Sequence, residues 1–389
     1  MKKVMLYSAL LMLGLVCSQI FPMLFAGYTS LQPLIMMLTM IALSYIMINV
    51  GREFELDKSN LKQYGWDYVV AMTTATFPWI AVVLYFVFVV MPPELWSNLD
   101  AWKESLVIGR FAAPTSAGVL FSMLAAAGLG ATWMFKKARV LAIFDDLDTV
   151  LLMIPLSIVI VGWNPALGVA LILMFGMLLL AYKYLHAWDL PASAKHIMIY
   201  STIIAVACKA FYIMTGAHFE VLLPAFVLGC MLKSQHETAL DQRFSTVLAA
   251  IFMVLVGLSL PQIFGATGSP EVTESVTGSL PPMPMGEVLF HVMIITIISN
   301  VGKMFPLCCY RNVATVKERL ALCIGMWPRG EVGAGVLMIS IGYGFGGPIV
   351  TIGMLSLALN LILTGWFITL ARNLIVSSAE EVQNEKVRA

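Results

Sequence analysis

Three acidic residues stand together in an otherwise apolar stretch: Asp145, Asp146 and Asp148 lie in AIFDDLDTVLLMIPL, residues 142–156. A charged side chain at the centre of a bilayer costs at least about 2.5–3.5 kcal/mol on insertion scales. Crowded, desolvated carboxyl groups cannot all ionise easily, so such a cluster can carry a proton near working pH. The same oxygen atoms, once deprotonated, can bind a hard monovalent cation. We therefore expect a site at which a proton and a cation exchange; the alternative is a salt-bridge network that joins packed helices, and for Asp148 alone both interpretations stay open.

A lysine is expected at the depth of this cluster. Asp145 lies six residues after Arg139, or about 9 Å inward along a helix, and Lys303 lies eight residues before Arg311, or about 12 Å inward from the same face. Because buried charges are normally paired, we expect Lys303 to form an ion pair with one of the aspartates.

Two proline-containing segments resemble each other: APTSAGVL at 113–120 and PRGEVGAGVL at 328–337. Proline removes a helical hydrogen bond, so Pro114 and Pro328 predict helix breaks. A break frees carbonyl groups for a cation, and Thr115 and Ser116 would add hydroxyl ligands. The alternative is a simple kink with the hydroxyls bonded to the preceding turn.

Two further charges follow the second proline. Arg329 and Glu331 lie ten and twelve residues after Arg319, which places both near the middle of the bilayer. They can neutralise each other or the ends of broken helices. We expect a structural role for this pair.

The elements that must position these residues are membrane-spanning helices. The chain of 389 residues is 60% hydrophobic and only 12% charged, whereas soluble proteins are about 25% charged. The sequence predicts an all-α polytopic membrane protein with about twelve spans, because each apolar run is near the length that a bilayer requires. The spans are 4–27, 31–50, 69–91, 106–129, 139–162, 166–185, 196–214, 218–233, 245–265, 285–310, 318–345 and 348–371.

The basic residues orient these spans. Of the 23 lysine and arginine residues, 18 fall on one predicted side and only Lys103 falls in a loop on the other. The positive-inside rule then places both termini in the cytoplasm. The net charge of +1 gives no reason to expect a nucleic-acid partner.

The two similar segments run in opposite directions across the predicted membrane, which indicates an inverted-topology repeat with interrupted helices at its centre. We expect a single transporter unit over 1–389. The first repeat is 1–162, 163–217 holds two linking spans, 218–371 is the second repeat, and 372–389 is a solvated cytoplasmic tail.

The motifs FDDLDT, APTSAG, NVGKMFP and IGMWPRGEVGAGV together resemble the bacterial monovalent cation:proton antiporters. The similar branch has paired aspartates and includes the sodium/proton antiporters. The resemblance covers essentially the whole chain. It implies a homodimer in which a core domain of crossed, broken helices moves against a dimerisation domain.

The resemblance also implies roles for individual residues. Asp146 would bind the cation, Asp145 would pair with Lys303, and Thr115 and Ser116 would lie beside the site. Arg329 and Glu331 would hold the core together. Two aspartates and a lysine are associated with electrogenic exchange of two protons per cation. Asp148 is an acid beyond the family pattern and bears on coordination and stoichiometry.

The expected function is exchange of cytoplasmic sodium or lithium for external protons, without a cofactor and without enzymatic chemistry. A potassium/proton antiporter of the same fold is an alternative, as is a passive channel or an organic-anion symporter. An intramembrane prenyltransferase would need a DDxxD motif, but Thr149 stands where its last acid would fall.

Overall fold

The regular secondary structure of the computed structural model is helical, and no strand occurs among the residues that it describes. Those residues are 2–24, 28–52, 61–161, 165–215, 221–233, 238–259, 275–281 and 283–388. Within these ranges some side chains lie outside the description, including those of Asp146 and Glu331.

Fourteen α-helices follow one another along the described residues. They are α1 (Lys2–Leu24), α2 (Tyr28–Arg52), α3 (Leu61–Tyr85), α4 (Leu99–Gly109), α5 (Ala117–Ala126), α6 (Trp133–Val161), α7 (Pro165–Lys183), α8 (Ala194–Thr215), α9 (Leu222–Met231), α10 (Ala239–Leu258), α11 (Met285–Gly302), α12 (Val316–Gly325), α13 (Glu331–Gly342) and α14 (Gly347–Arg388).

Local sequence signals fix where several helices begin. The side chain of Asn98 accepts hydrogen bonds from two amides in the first turn of α4. Thr315 and Glu318 form a capping box at the start of α12. These caps satisfy amide groups that have no partner inside the helix.

The helices form two packed groups. The first group, here called the core half, contains α3–α6 and α11–α14; α3 packs on α6 and α11, and α14 packs on α11 and α12. The second group, here called the panel, contains α1, α2 and α7–α10, with α1 against α10 and α2 against α9. The two groups meet where α1 contacts α14 and α5.

Glycine allows the helices of the panel to approach closely. A Cβ atom on Gly229 of α9 would lie 2.2 Å from the carbonyl oxygen of Ile48 in α2. A Cβ atom on Gly257 of α10 would lie 2.4 Å from the carbonyl oxygen of Leu11 in α1. Small residues at such crossings maximise van der Waals contact where lipid supplies no hydrophobic driving force.

The protein is a multi-pass membrane protein. Eight segments of the described residues are long and apolar enough to cross a bilayer. The twelve predicted spans correspond to α1–α3, α4 with α5, α6–α11, α12 with α13, and α14. The helices α3 and α4 begin seven or eight residues before their predicted spans, because apolar length alone does not locate a helix end.

The predicted solvated tail continues α14 as a helix to Arg388. No glycine or proline interrupts this stretch. Two contacts hold it against the start of α12: Lys317 Nζ donates to Ser377 Oγ at 2.7 Å, and the hydroxyls of Thr315 and Ser378 lie 2.8 Å apart.

Candidate functional site

Two helices are interrupted inside the core half, and both interruptions contain a predicted proline. Residues 113–116, which include Pro114, separate α4 and α5 after a short 3₁₀ turn. Residues 326–330, which include Pro328, separate α12 and α13. The two helix breaks that the sequence predicts are therefore present.

The two breaks contact each other directly. The amide of Ser116 donates to the carbonyl of Pro328 at 2.9 Å, and Thr115 Oγ1 donates to the carbonyl of Met326 at 3.1 Å. Ser116 Oγ also accepts from the amide of Val119 at 3.4 Å, so this hydroxyl caps α5. The two similar segments thus cross, and polar backbone groups freed by one break find partners in the other.

Asp145 lies beside this crossing on α6. Its Oδ2 atom accepts a hydrogen bond from the amide of Thr115 at 2.8 Å and from Lys303 Nζ at 3.0 Å. Lys303 Nζ also donates to Thr115 Oγ1 at 2.8 Å. The side chains of Asp145 and Lys303 are both fully buried. The pair that sequence depth made reasonable is therefore formed, and Asp145 is the aspartate that takes the lysine.

Close packing of α11 on α3 brings Lys303 to this depth. Lys303 follows the last residue of α11, Gly302. A Cβ atom on Gly302 would lie 2.7 Å from the Cα atom of Pro78 in α3. Only glycine permits this approach, so Gly302 helps to place the ammonium group among oxygen atoms from α6 and the first break.

The other two acids lie on the same helix as Asp145. The backbone of Asp146 is helical and its side chain lies outside the description. Asp148 is one turn beyond Asp145 and 1% exposed. A side-chain hydrogen bond joins Asp148 to Tyr68 of α3, and its buried Oδ2 atom has no hydrogen-bond partner within the described part of the chain.

Arg329 is buried within the second break, where it donates hydrogen bonds to carbonyl groups at the ends of helices. Its guanidinium donates to the carbonyl of Ala112 at 3.1 Å, to the carbonyl of Ser299 at 2.8 Å and to Asn300 Oδ1 at 2.7 Å. Ala112 ends the first half of an interrupted helix, where carbonyl groups carry partial negative charge. Arg329 therefore contacts the ends of broken helices, one of the two partners considered for it. The side chain of Glu331, at the first position of α13, lies outside the description.

The sequence analysis did not identify the two asparagine side chains, Asn300 and Asn360, that hydrogen-bond to Arg329. The amide of Arg329 donates to Asn360 Oδ1 at 2.9 Å, and Asn360 Nδ2 donates to Asn300 Oδ1 at 3.1 Å. One turn away, the hydroxyls of Thr296 and Ser356 lie 2.9 Å apart. The missed signal was helical spacing of polar residues in two apolar runs. Thr296 and Asn300 on α11 lead to Lys303 at its C-cap, and Ser356, Asn360 and Thr364 lie on α14.

This arrangement can hold one small positive charge at the crossing of the breaks. Asp145 Oδ2 and Thr115 Oγ1 now surround the ammonium of Lys303. The ligands are hard oxygen atoms, which suit alkali metal ions rather than transition metals. Within the described residues, no group of three or more histidine, cysteine, aspartate or glutamate side chains could hold a metal ion.

Comparisons with known proteins support the fold. No family model matches the chain, and no curated protein sequence matches it. The structure of the sodium proton antiporter MjNhaP1 from Methanocaldococcus jannaschii at pH 8 superposes with a TM-score of 0.54. The alignment covers 92% of this chain and 91% of that chain at 16% sequence identity. The chain has the sodium/proton antiporter fold. In this antiporter fold, the two crossed and interrupted helices are α4 with α5 and α12 with α13.

Proposed function

We propose that this protein is a secondary antiporter that exchanges a cytoplasmic monovalent cation, sodium or lithium, for external protons. The observation that carries the proposal is the buried set of Asp145, Thr115 and Lys303 at the crossing of two broken helices. A charge is costly at this depth. Its retention beside freed backbone groups fits a site that binds and releases ions.

Each residue has a defined part in the proposed exchange. Asp146 supplies the principal cation ligand, with Asp145 and Thr115 as further oxygen ligands and Asp148 and Ser116 close by. An incoming cation takes oxygen atoms that Lys303 now contacts, so the ammonium must withdraw. No resident cofactor is needed, because binding and proton release complete the cycle.

The stoichiometry follows from charge. A cation that displaces one proton from the acids and one from Lys303 leaves two protons exchanged for one cation, so the exchange is electrogenic. The membrane potential then drives it, since moving one charge through 100 mV corresponds to about 2.3 kcal/mol.

We propose that access alternates when the core half moves against the panel, as in an elevator. In this scheme the protein is a homodimer in the inner membrane with both termini in the cytoplasm. The repeats are 1–162 and 218–371, joined through 163–217. Helix breaks at Pro114 and Pro328, held by Arg329 and Glu331, move with the core half.

The proposal can be tested in proteoliposomes with an imposed pH gradient. We expect sodium-dependent proton flux with the wild type and its loss with Asp146→Asn. Glu94→Gln is a matched control, because Glu94 is an exposed acid in a short 3₁₀ turn between α3 and α4. Intact flux with Asp146→Asn would show that the cation site is wrongly assigned.

The identity of the cation is tested by repeating the assay with sodium, lithium and potassium in turn. Oxygen ligands accept all three ions, and selectivity depends on the fit of the cavity. Exchange with potassium alone would replace the sodium proposal by a potassium/proton antiporter. Ion flux without counterflow of protons would indicate a channel.

A further inference from the structure

A second buried carboxylate, Glu104 of α4, holds a segment from a distant part of the chain. Glu104 is 5% exposed. Its oxygen atoms accept hydrogen bonds from Ser275 Oγ at 2.8 Å, the amide of Val276 at 2.9 Å, the amide of Thr277 at 2.8 Å and Thr277 Oγ1 at 2.6 Å. The mechanism proposed above does not use this residue.

All four contacts are donors to Glu104, so the arrangement matches an ionised carboxylate. Hydrogen bonds to an ionised acceptor are roughly twice as strong as neutral ones. They offset the cost of burying the charge, which would otherwise be prohibitive. An uncharged glutamine has one acceptor oxygen and adds an NH₂ group that would face these donors.

The segment held by Glu104, residues 275–281, is here called the cover. It also packs against the turn between α13 and α14. A Cβ atom on Gly347, which has φ +73°, would lie 2.1 Å from the carbonyl oxygen of Thr277. Leu280 is buried in the main hydrophobic core. The cover therefore contacts the predicted outer part of one interrupted helix, at α4, and the first residue of α14, which follows the other interrupted helix.

We propose that Glu104 is a positioning residue that fixes the cover to the core half, so that the cover stays docked on α4 and against the start of α14 throughout transport. Docking there keeps the outer halves of both interrupted helices in register, and with them the breaks at the site. The idea rests on the proposed alternating access. The opposing possibility is a lid that leaves α4 in every cycle.

Docking can be measured without transport. In protein whose six cysteines are replaced by alanine, Val276→Cys reports exposure of the cover through its rate of reaction with a maleimide in detergent. We expect Glu104→Gln to raise this rate at least about tenfold, the effect of losing a charge-assisted contact. Glu94→Gln, the exposed control, should leave the rate unchanged.

A second variant, Gly347→Ala, tests docking of the cover independently, in case Glu104→Gln does not fold. Gly347→Ala leaves Glu104 intact but places a methyl group against the carbonyl of Thr277. It should raise the reaction rate of Val276→Cys as well. Unchanged rates with both variants would overturn the proposal, whether or not the protein exchanges sodium for protons.

A cross-link distinguishes a fixed cover from a lid. Glu104→Cys with Thr277→Cys removes the anchor, and a bifunctional maleimide then joins the two positions. We expect the cross-link to restore the exchange rate that the unlinked double variant loses. A lid gives the opposite result, because cross-linking would stop exchange. If wild-type protein shows no exchange, the proposed function fails, and the maleimide rates still report on docking.

Discussion

Gly118 of α5 and Phe252 of α10 lie in contact at the boundary between the core half and the panel. A Cβ atom on Gly118 would be 2.6 Å from Cε1 of the Phe252 ring, and that ring is fully buried. Gly118 stands two residues after Ser116, which bonds to the second break. The boundary across which the halves would move therefore lies next to the proposed ion site, and glycine permits close contact there.

Gly118→Ala should slow exchange and destabilise the protein by about 1–3 kcal/mol, because the methyl group overpacks a filled core. The matched control is Gly335→Ala. Gly335 holds the corresponding position in the similar segment of α13, and a Cβ atom there meets nothing within 4 Å. Both alanine variants are measured by flux in proteoliposomes and by thermal unfolding.

The double variant Gly118→Ala with Phe252→Leu should recover part of the lost flux and stability, because the smaller side chain makes room for the methyl group. Equal effects of Gly118→Ala and Gly335→Ala would contradict this account.

Lys303→Ala should reduce stability by about 3–5 kcal/mol, since it leaves the buried carboxylate of Asp145 without its cation. Lys303→Ala with Asp145→Asn should recover much of the loss, because both charges are then gone. Lys103→Ala is the control, as its ion pair with Asp100 is exposed and such pairs contribute only about 0–1 kcal/mol. Thermal unfolding in detergent measures all three variants.

The Lys303→Ala variant also tests whether the exchange is electrogenic. If Lys303 carries the second proton, as proposed, its removal leaves one proton exchanged per cation, so flux should lose its dependence on membrane potential. Flux at several imposed potentials gives the answer. Unaltered voltage dependence in Lys303→Ala would exclude Lys303 as the second proton carrier.

Arg329→Gln should destabilise the core half, because the carbonyl groups of Ala112 and Ser299 lose their donors at about 1–3 kcal/mol each. Arg329→Lys should recover only part of this stability, since an ammonium cannot reproduce the planar fork of a guanidinium. The exposed Arg311 provides the control Arg311→Gln. A midpoint of thermal unfolding equal to that of the wild type would contradict the proposed capping of helix ends.

Gly229→Ala should separate α2 from α9 and lower the midpoint of thermal unfolding. The obstacle is backbone, the carbonyl of Ile48 at 2.2 Å from the new Cβ atom, and it cannot move aside as a side chain can. Gly176→Ala in α7 meets nothing within 4 Å and should not destabilise the protein. Equal midpoints for the two variants would argue against close contact at this crossing.

The spanning helices, the helix breaks and the depth of single residues could be predicted, because each depends on a short stretch of sequence. Apolar runs of sufficient length dictate spanning helices, since the bilayer offers no partners to free amides and carbonyls. Pro114 and Pro328 each lie in a break, because proline removes a helical hydrogen bond. Proline alone does not dictate a break, since Pro78 lies inside the uninterrupted helix α3. The depth of a residue along a span follows from helical rise, which placed Lys303 level with the acids.

Partners across the bundle were decided by tertiary structure alone. Depth does not give rotation, so helix geometry left open which aspartate meets Lys303, and only the resemblance to a known family pointed to Asp145. The bond between Glu104 and Thr277 joins residues 173 positions apart, and no local pattern encodes it. The residues that could do the chemistry were therefore readable from the sequence, whereas their pairing depended on how twelve spans pack, which only long-range contacts determine.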